Sequence, residues 1–326
     1  MLTIFTTGKA FRGHNGITQR NALKSWLLLH PAIEIILFGD DEGASEIARE
    51  LGIRHCPKLR LNESNAILID DMFAQAQALA KYDVLCYSNC DIILLKDFWD
   101  AHLRVREGHK TFLMIGRRWD VDITEPIDFE QPGTTECLIQ LAKEKGNLSG
   151  PDAIDYFVFT RGLYPEVPAF AIGRLWWDHW LVWKAVDSKN PVIDATPMVT
   201  AIHQNHDYNH HPAGHKGIWQ GVEPKRNLAL AGGKGNLRTL DDVTHILNAG
   251  GEKRNLWRWW APYWRTLKPK CVPVWFAILN LTRPVRKVLG LRAKRVVPTV
   301  GGAKTSRASR FRRPGRLKRW RRTKRG

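Results

Sequence analysis

Two short segments of this chain, Glu34-Ile-Ile-Leu-Phe38 and Asp83-Val-Leu-Cys-Tyr-Ser88, are apolar almost without interruption, and Leu2-Thr-Ile-Phe-Thr-Thr7 before them is a further short strand. Runs lacking polar alternation are strands covered on both faces, and such strands belong to a mainly parallel sheet with helices above and below it. The intervening segments agree. Thr18 to His30 carries Ala22, Trp26 and Leu29 at helical spacing and stops before Pro31; Gly39-Asp40-Asp41-Glu42-Gly43 turns the chain; Glu46 to Leu51 predicts a short helix and Ile67 to Lys81 a longer one. Alternating β and α elements predict an α/β fold whose right-handed crossovers gather the strand ends on one edge, where ligands bind in such folds.

Further along, Phe98 to Arg106 reads as a helix, Thr111 to Ile115 and Ile154 to Phe159 as strands, and Leu175 to Val186 as a tryptophan-rich helix. Pro191 to Ala195 and Val199 to Ile202 predict short strands, followed by a histidine-rich loop from His203 to His215. There is no internal repeat. Gly250-Gly251 is the expected domain boundary, giving a domain over 1–250 and an extension over 251–326, of which 300–326 reads as disordered.

Charge divides the chain at the same place. The net charge is +18, yet no acidic residue follows Glu252, and 24 Lys or Arg fall in 253–326, leaving 26 basic against 32 acidic residues before that. The body is therefore acidic and the basicity belongs to the extension, so nucleic-acid binding is not a property of the body. Five cysteines (Cys56, Cys86, Cys90, Cys137, Cys271) form no CxxC pair, which points to a reducing compartment and to buried thiols. The start of the chain reads as a strand, not a signal peptide, and Cys271 to Leu281, interrupted by Pro273, falls short of the roughly 20 residues needed to cross a bilayer. The expectation is a cytoplasmic protein.

Asp40 and Asp41 end one predicted strand and Asp91 follows another, placing three carboxylates at the ligand edge. A cation bridging Asp91 to a nucleotide diphosphate would relieve repulsion on both sides; the alternative is solvated turn formers. The segment Asp83-Val-Leu-Cys-Tyr-Ser-Asn-Cys-Asp-Ile-Ile resembles the central strand and metal-binding Asp-x-Asp signature of GT-A glycosyltransferases, with Asn89 in the first acidic place. The resemblance covers about residues 1–220. It implies a GT-A-like three-layer α/β/α sandwich with a mainly parallel, mixed central sheet, followed by the basic carboxyl-terminal extension. It also implies a nucleotide-sugar donor and Mn²⁺ or Mg²⁺ at Asp91, with weaker metal binding or other ligands making up for Asn89. Asp40 and Asp41 resemble the carboxylate that binds the base or ribose, and Thr6 and Thr7 occupy the place where backbone and hydroxyl groups meet the nucleotide.

The same resemblance extends to Gly173-Arg-Leu-Trp-Trp-Asp-His-Trp180, similar to the helix start that carries the base of inverting enzymes. Asp178 is the candidate. A base needs partial desolvation to lift its pKa toward the working pH, and Trp176, Trp177 and Trp180 would supply it; Trp176, Trp180 and Trp183 equally suit a core stripe. His203 or His206 resembles the late histidine that completes the metal shell; a zinc site without cysteine is the rival reading. Arg117 and Arg118 suit the leaving diphosphate, or pair instead with Asp120 or Asp122. Lys9 and Arg12 follow the first strand, and Gly8 to Gly16 lacks the ending of a P-loop.

In the extension, Trp257, Trp260 and Trp264 with Val274 to Leu281 suit an interfacial anchor, and the basic tract from Ser306 suits anionic headgroups. Nucleic acid or plain solvation are the alternatives for the tract. The sequence thus points to a metal-dependent glycosyltransferase acting on an unidentified glycan, lipid or small-molecule acceptor. The rivals are a sugar nucleotidyltransferase, whose Gly-rich basic loop Gly8–Gly16 only partly provides, and a non-catalytic nucleotide-sugar or nucleic-acid binding protein.

Overall fold

The structure, a computed structural model, describes residues 1–205 and 221–261. The chain begins β1 (Thr3–Thr7), α1 (Gly13–Leu27), β2 (Glu34–Phe38), α2 (Ala44–Leu51), β3 (Arg54–Cys56), α3 (Ile69–Leu79) and β4 (Val84–Ser88). It continues with β5 (Ile92–Ile93), α4 (Lys96–Gly108), β6 (Leu113–Ile115), β7 (Arg118–Val121), α5 (Thr134–Lys145), β8 (Asn147–Leu148) and β9 (Tyr156–Thr160). Then follow α6 (Trp177–Asp187), β10 (Val192–Asp194), β11 (Ala201–Gln204), α7 (Val222–Leu230), β12 (His245–Asn248) and β13 (Gly251–Arg254).

Among the described residues, nine strands form one sheet in the order β13-β12-β10-β6-β9-β4-β1-β2-β3. The sheet is parallel apart from β9, which runs antiparallel to β4 and β6, and the edge strand β13. Side chains alternate along β1, so Leu2 and Ile4 pack with α1, α2 and α4 on one face, while Phe5 packs with α3 and α6 on the other. This is the expected three-layer α/β/α sandwich with a mainly parallel, mixed sheet. Fully buried aromatics (Phe5, Phe38, Phe73, Phe157, Phe159) fill the second layer, each burial contributing roughly 1.5–3 kcal/mol. A second sheet, β5-β11-β7-β8, stands at the end of the first.

Several sequence expectations shift. α1 begins at Gly13, five residues ahead of Thr18, because Gly13 takes a left-handed φ of 52° that lets the chain leave the loop directly into the helix. The strand expected over Ile154–Phe159 runs Tyr156–Thr160, antiparallel. The strand expected over Val199–Ile202 runs Ala201–Gln204 and so takes in His203, which lies in a sheet and not in a loop. Gly250-Gly251, the expected domain boundary, turns β12 back into β13, which adds an edge strand to the large sheet. Residues 300–326 lie outside the described residues. No helix among the described residues is long and apolar enough to cross a membrane.

Candidate active site

The order β3-β2-β1-β4 reverses direction between β1 and β4, and a crevice opens at such a switch point beyond the carboxyl ends of the strands. Thr7 stands at the end of β1, and Asn89 and Asp91 follow β4. The stretch around Asp91 is pinned by buried polar groups on α1 and β11. Trp26 Nε1 donates to the Ile92 carbonyl at 2.9 Å, and Gln204 Nε2 donates to the carbonyls of Thr18 (2.8 Å) and Asp91 (3.1 Å). Asn21 Nδ2 in turn donates to Gln204 Oε1 at 2.9 Å. Buried amides of this kind must be paired, so they fix the backbone they hold.

The second sheet brings the histidine to the aspartate. β11 lies between β5 and β7, with His203 in register with Ile92 on one side and Asp120 on the other. His203 is buried; its Nδ1 lies 3.1 Å from Asp120 Oδ1 and its Nε2 3.8 Å from Asp91 Oδ2. A proton on Nδ1 donated to Asp120 turns the Nε2 lone pair toward Asp91, the carboxylate–histidine arrangement that orients a metal ligand. Burial disfavours the imidazolium, but the Asp120 hydrogen bond and the Asp91 charge outweigh it and raise the His203 pKa. Asp120 is half-buried, which alone would raise its pKa; hydrogen bonds from His203 and Ser149 and the Arg118 charge instead lower it to about 2.

Among the described residues no group of three or more His, Cys, Asp or Glu side chains could by itself hold a metal ion. Asp91 and His203 nonetheless fit a hard divalent cation, one carboxylate oxygen and one oriented imidazole, with the remaining positions left to the phosphate oxygens of a donor. His206 lies outside the described residues.

Arg117 and Arg118 face different work from that expected. The Arg117 guanidinium donates to the Leu148 and Ser149 carbonyls, anchoring β8, so it is not directed at a diphosphate. Arg118 bridges Asp120 (Nε to Oδ1, 3.0 Å) and Asp155 (2.5 Å), the pairing with Asp120 that the sequence offered as the alternative. Arg12 pairs with Glu42 at the surface.

On the donor side, Thr7 Oγ1 is buried without a hydrogen-bond partner among the described residues. Gly39, at φ 95°, lets the chain pass close by: a Cβ there would stand 3.1 Å from Thr7 Oγ1 and 3.5 Å from Asp41 Oδ2. Asp40 and Asp41 lie at the surface; partial desolvation of the Asp41 carboxyl, followed by the neighbouring Asp40 charge, raises its pKa. Thr6 departs from expectation: it is fully buried and its hydroxyl donates to the Thr7 carbonyl at 3.3 Å, because alternation along β1 turns it into the sandwich.

Asp178 sits in the first turn of α6, preceded by Trp176 at φ 90°, a left-handed conformation that costs a bulky residue about 1–3 kcal/mol. Of the stripe Trp176, Trp180 and Trp183, Trp180 is buried and the other two are partly buried against the same core; Trp177 is buried as well and packs edge-on to Tyr87 with ring centroids 5.3 Å apart. Burial raises the Asp178 pKa and the Asp155 charge adds to it, while the His179 charge and its backbone N–H at 2.9 Å oppose the shift. The buried Tyr87 phenol is pushed up by burial first and then by the charges of Asp91, Asp155, Cys90 and Asp178.

The sequence reading missed Asp120 and Asp155 as site residues. Asp155 precedes β9; its backbone carbonyl accepts from Asn89 N (2.9 Å) and its Oδ1 from Asn89 Nδ2 (2.6 Å). The signal available was an acid at the head of an apolar strand, but only the antiparallel direction of β9 brings that head to the ligand edge.

No family model matches this sequence, and no curated protein matches it. Among solved structures the chain is similar to glucosyl-3-phosphoglycerate synthase from Mycobacterium tuberculosis, solved with Mg²⁺ and uridine diphosphate. The TM-score is 0.42 and the identity 13%, over 72% of this chain and 80% of that one. It is also similar to S. aureus TarS 1-349, solved with UDP-GlcNAc, at TM-score 0.41 and 9% identity, over 63% of this chain and 59% of that one. Likeness of this size concerns overall shape and says nothing of activity. The GT-A-like architecture of the described unit is stated from its own layers and strand order.

Proposed function

We propose that this chain is a metal-dependent glycosyltransferase that moves a sugar from a nucleotide-diphosphate-sugar donor to an acceptor hydroxyl. The observation that carries the reading is the union, at the switch-point crevice, of Asp91 with a histidine whose Nε2 is turned to it by Asp120. Asp91 and His203 would hold Mn²⁺ or Mg²⁺, and the ion, when bound, would supply positive charge to the departing diphosphate.

In this reading Thr7, Asp40 and Asp41 receive the nucleoside. Asp178 takes the proton of the acceptor hydroxyl while the acceptor oxygen bonds to the anomeric carbon. The bond from that carbon to the diphosphate breaks, and the nucleoside diphosphate leaves with the electron pair. Its burial suits Asp178 to the part, since a carboxylate with a raised pKa is a stronger base. Inversion of the anomeric carbon follows, and retention would remove Asp178 from this role. The acceptor is a glycan, lipid or small molecule. The reading also includes a cytoplasmic location at an anionic membrane, held by the basic extension; flotation of liposomes with and without residues 262–326 tests that part.

The test of the whole is a thermal-shift panel of nucleoside diphosphates and their sugars with Mn²⁺, Mg²⁺ or chelator. A ligand at one hundred times its dissociation constant stabilises by about 2.7 kcal/mol, and here the shift should need the metal and vanish in Asp91→Ala. A flat panel favours a non-catalytic binding protein.

A further inference from the structure

Position 89 poses a problem that the fold itself answers. A carboxylate is missing after β4, and the adjacent strand delivers one to the same spot. The β4–β9 ladder, which pairs Ser88 with Tyr156, runs one residue further through Asn89 N and the Asp155 carbonyl at 2.9 Å. Asp155 therefore faces Asn89 directly. The Asn89 amide is held at both ends: its Oδ1 accepts from Tyr87 Oη at 2.8 Å and its Nδ2 donates to Asp155 Oδ1 at 2.6 Å. The other carboxylate oxygen, Asp155 Oδ2, accepts from Arg118 at 2.5 Å. Arg118 grips Asp120 at 3.0 Å, and Asp120 lies 3.1 Å from His203 Nδ1.

We infer that Asp155 is a positioning residue that replaces, from the neighbouring strand, the carboxylate absent at position 89, and that acts on the metal-binding pair through Arg118 and Asp120. The inference rests on the donor-site reading above. Its content is that the amide at 89 serves Asp155, presenting a donor to that carboxylate and an acceptor to Tyr87 at once. An aspartate at 89 has no amide N–H to offer Asp155 Oδ1 and would set two acceptor oxygens against each other at that short distance. It would also draw Arg118 away from Asp120 and so loosen His203.

This predicts the opposite of what the missing acid alone suggests, since restoring aspartate at 89 should harm the site. The variants are Asn89→Asp, Asp155→Asn and the double exchange, which returns one amide and one carboxylate to the pair with the partners reversed. The readouts are Mn²⁺ affinity in the presence of uridine diphosphate, by electron paramagnetic resonance, and the melting temperature of the ligand-free protein. Each single variant should weaken Mn²⁺ at least tenfold, as changes behind metal ligands commonly do by about 10–100-fold, and the exchange should return it to within about threefold. Tighter or unchanged Mn²⁺ binding in Asn89→Asp overturns the inference. An exchange that restores melting but not affinity also overturns it, leaving a purely structural bond. If the wild-type chain binds no Mn²⁺ with uridine diphosphate, the donor reading fails instead, and the melting temperatures still report whether the Asn89–Asp155 bond exists.

Discussion

Replacing Asp120 by asparagine keeps an acceptor for His203 and removes only the negative charge, so its effect can be worked out from the structure. The Asp120 side chain is 23% exposed and its pKa lies at about 2, against an ordinary 3.8. A carboxylate lowered this far stabilises the native state above its ordinary value and loses that contribution as the pH falls through the folded value; the difference is worth roughly 2 kcal/mol. Part of it comes from the His203 charge. Because the His203 pKa is raised above 6.5, the imidazolium contributes stability that is full below that value and is lost as the pH rises through the folded one. The loss in Asp120→Asn should therefore be greatest between about pH 4 and 6.5, near 2 kcal/mol, and should shrink on both sides of that window. Urea denaturation of wild type and variant at a series of pH values from about 3 to 8.5 measures it. A difference below about 0.5 kcal/mol at every pH, or one that does not change with pH, would refute the coupling of Asp120 to His203 and Arg118.

Two further substitutions test the base and its setting. For Asp178, whose folded pKa is raised, the ionised form burdens the native state; the burden is absent below the ordinary value of 3.8 and grows as the pH rises through the folded value. Asp178→Asn should then melt no lower than wild type near neutral pH while sugar transfer falls by about 10²–10⁴-fold, and a clear drop in melting temperature with activity retained would contradict both statements. At Trp176, glycine and alanine both delete the indole, but only alanine keeps the strain at φ 90°; the glycine variant should be the more stable of the two by about 1–2 kcal/mol in urea denaturation, and equal stabilities would show that the conformation costs nothing.

The sandwich was legible because parallel strands covered on both faces leave unbroken apolar runs, and β2 and β4 fell close to where those runs lie. The positions of Asp91, just beyond β4, and of Asp178, in the first turn of α6, were legible for a related reason, since periodicity locates both elements. Partnership between distant strands was not. Nothing local in Arg118-Trp-Asp120-Val says that β7 will lie against β11 so that Asp120 meets His203, and the histidine-rich composition after Gln204 disguised His203 as part of a loop although it ends an apolar strand. Asp155 was hidden by direction: the apolar run of β9 looks the same read parallel or antiparallel, and only the antiparallel choice puts its first residue beside Asn89. Thr6 and Thr7 were inseparable in sequence until the register of β1 assigned one to the core and the other to the crevice.

The central claim is that Asp91 and His203 together receive a divalent cation with the donor diphosphate. Pulsed electron paramagnetic resonance of Mn²⁺ bound with uridine diphosphate reads this directly, because a coordinated imidazole nitrogen modulates the manganese signal. The modulation should be present in wild type and absent in His203→Gln, and bound Mn²⁺ itself should be lost in Asp91→Ala. Manganese bound equally well by Asp91→Ala, or bound without nitrogen modulation in the wild-type chain, would contradict it.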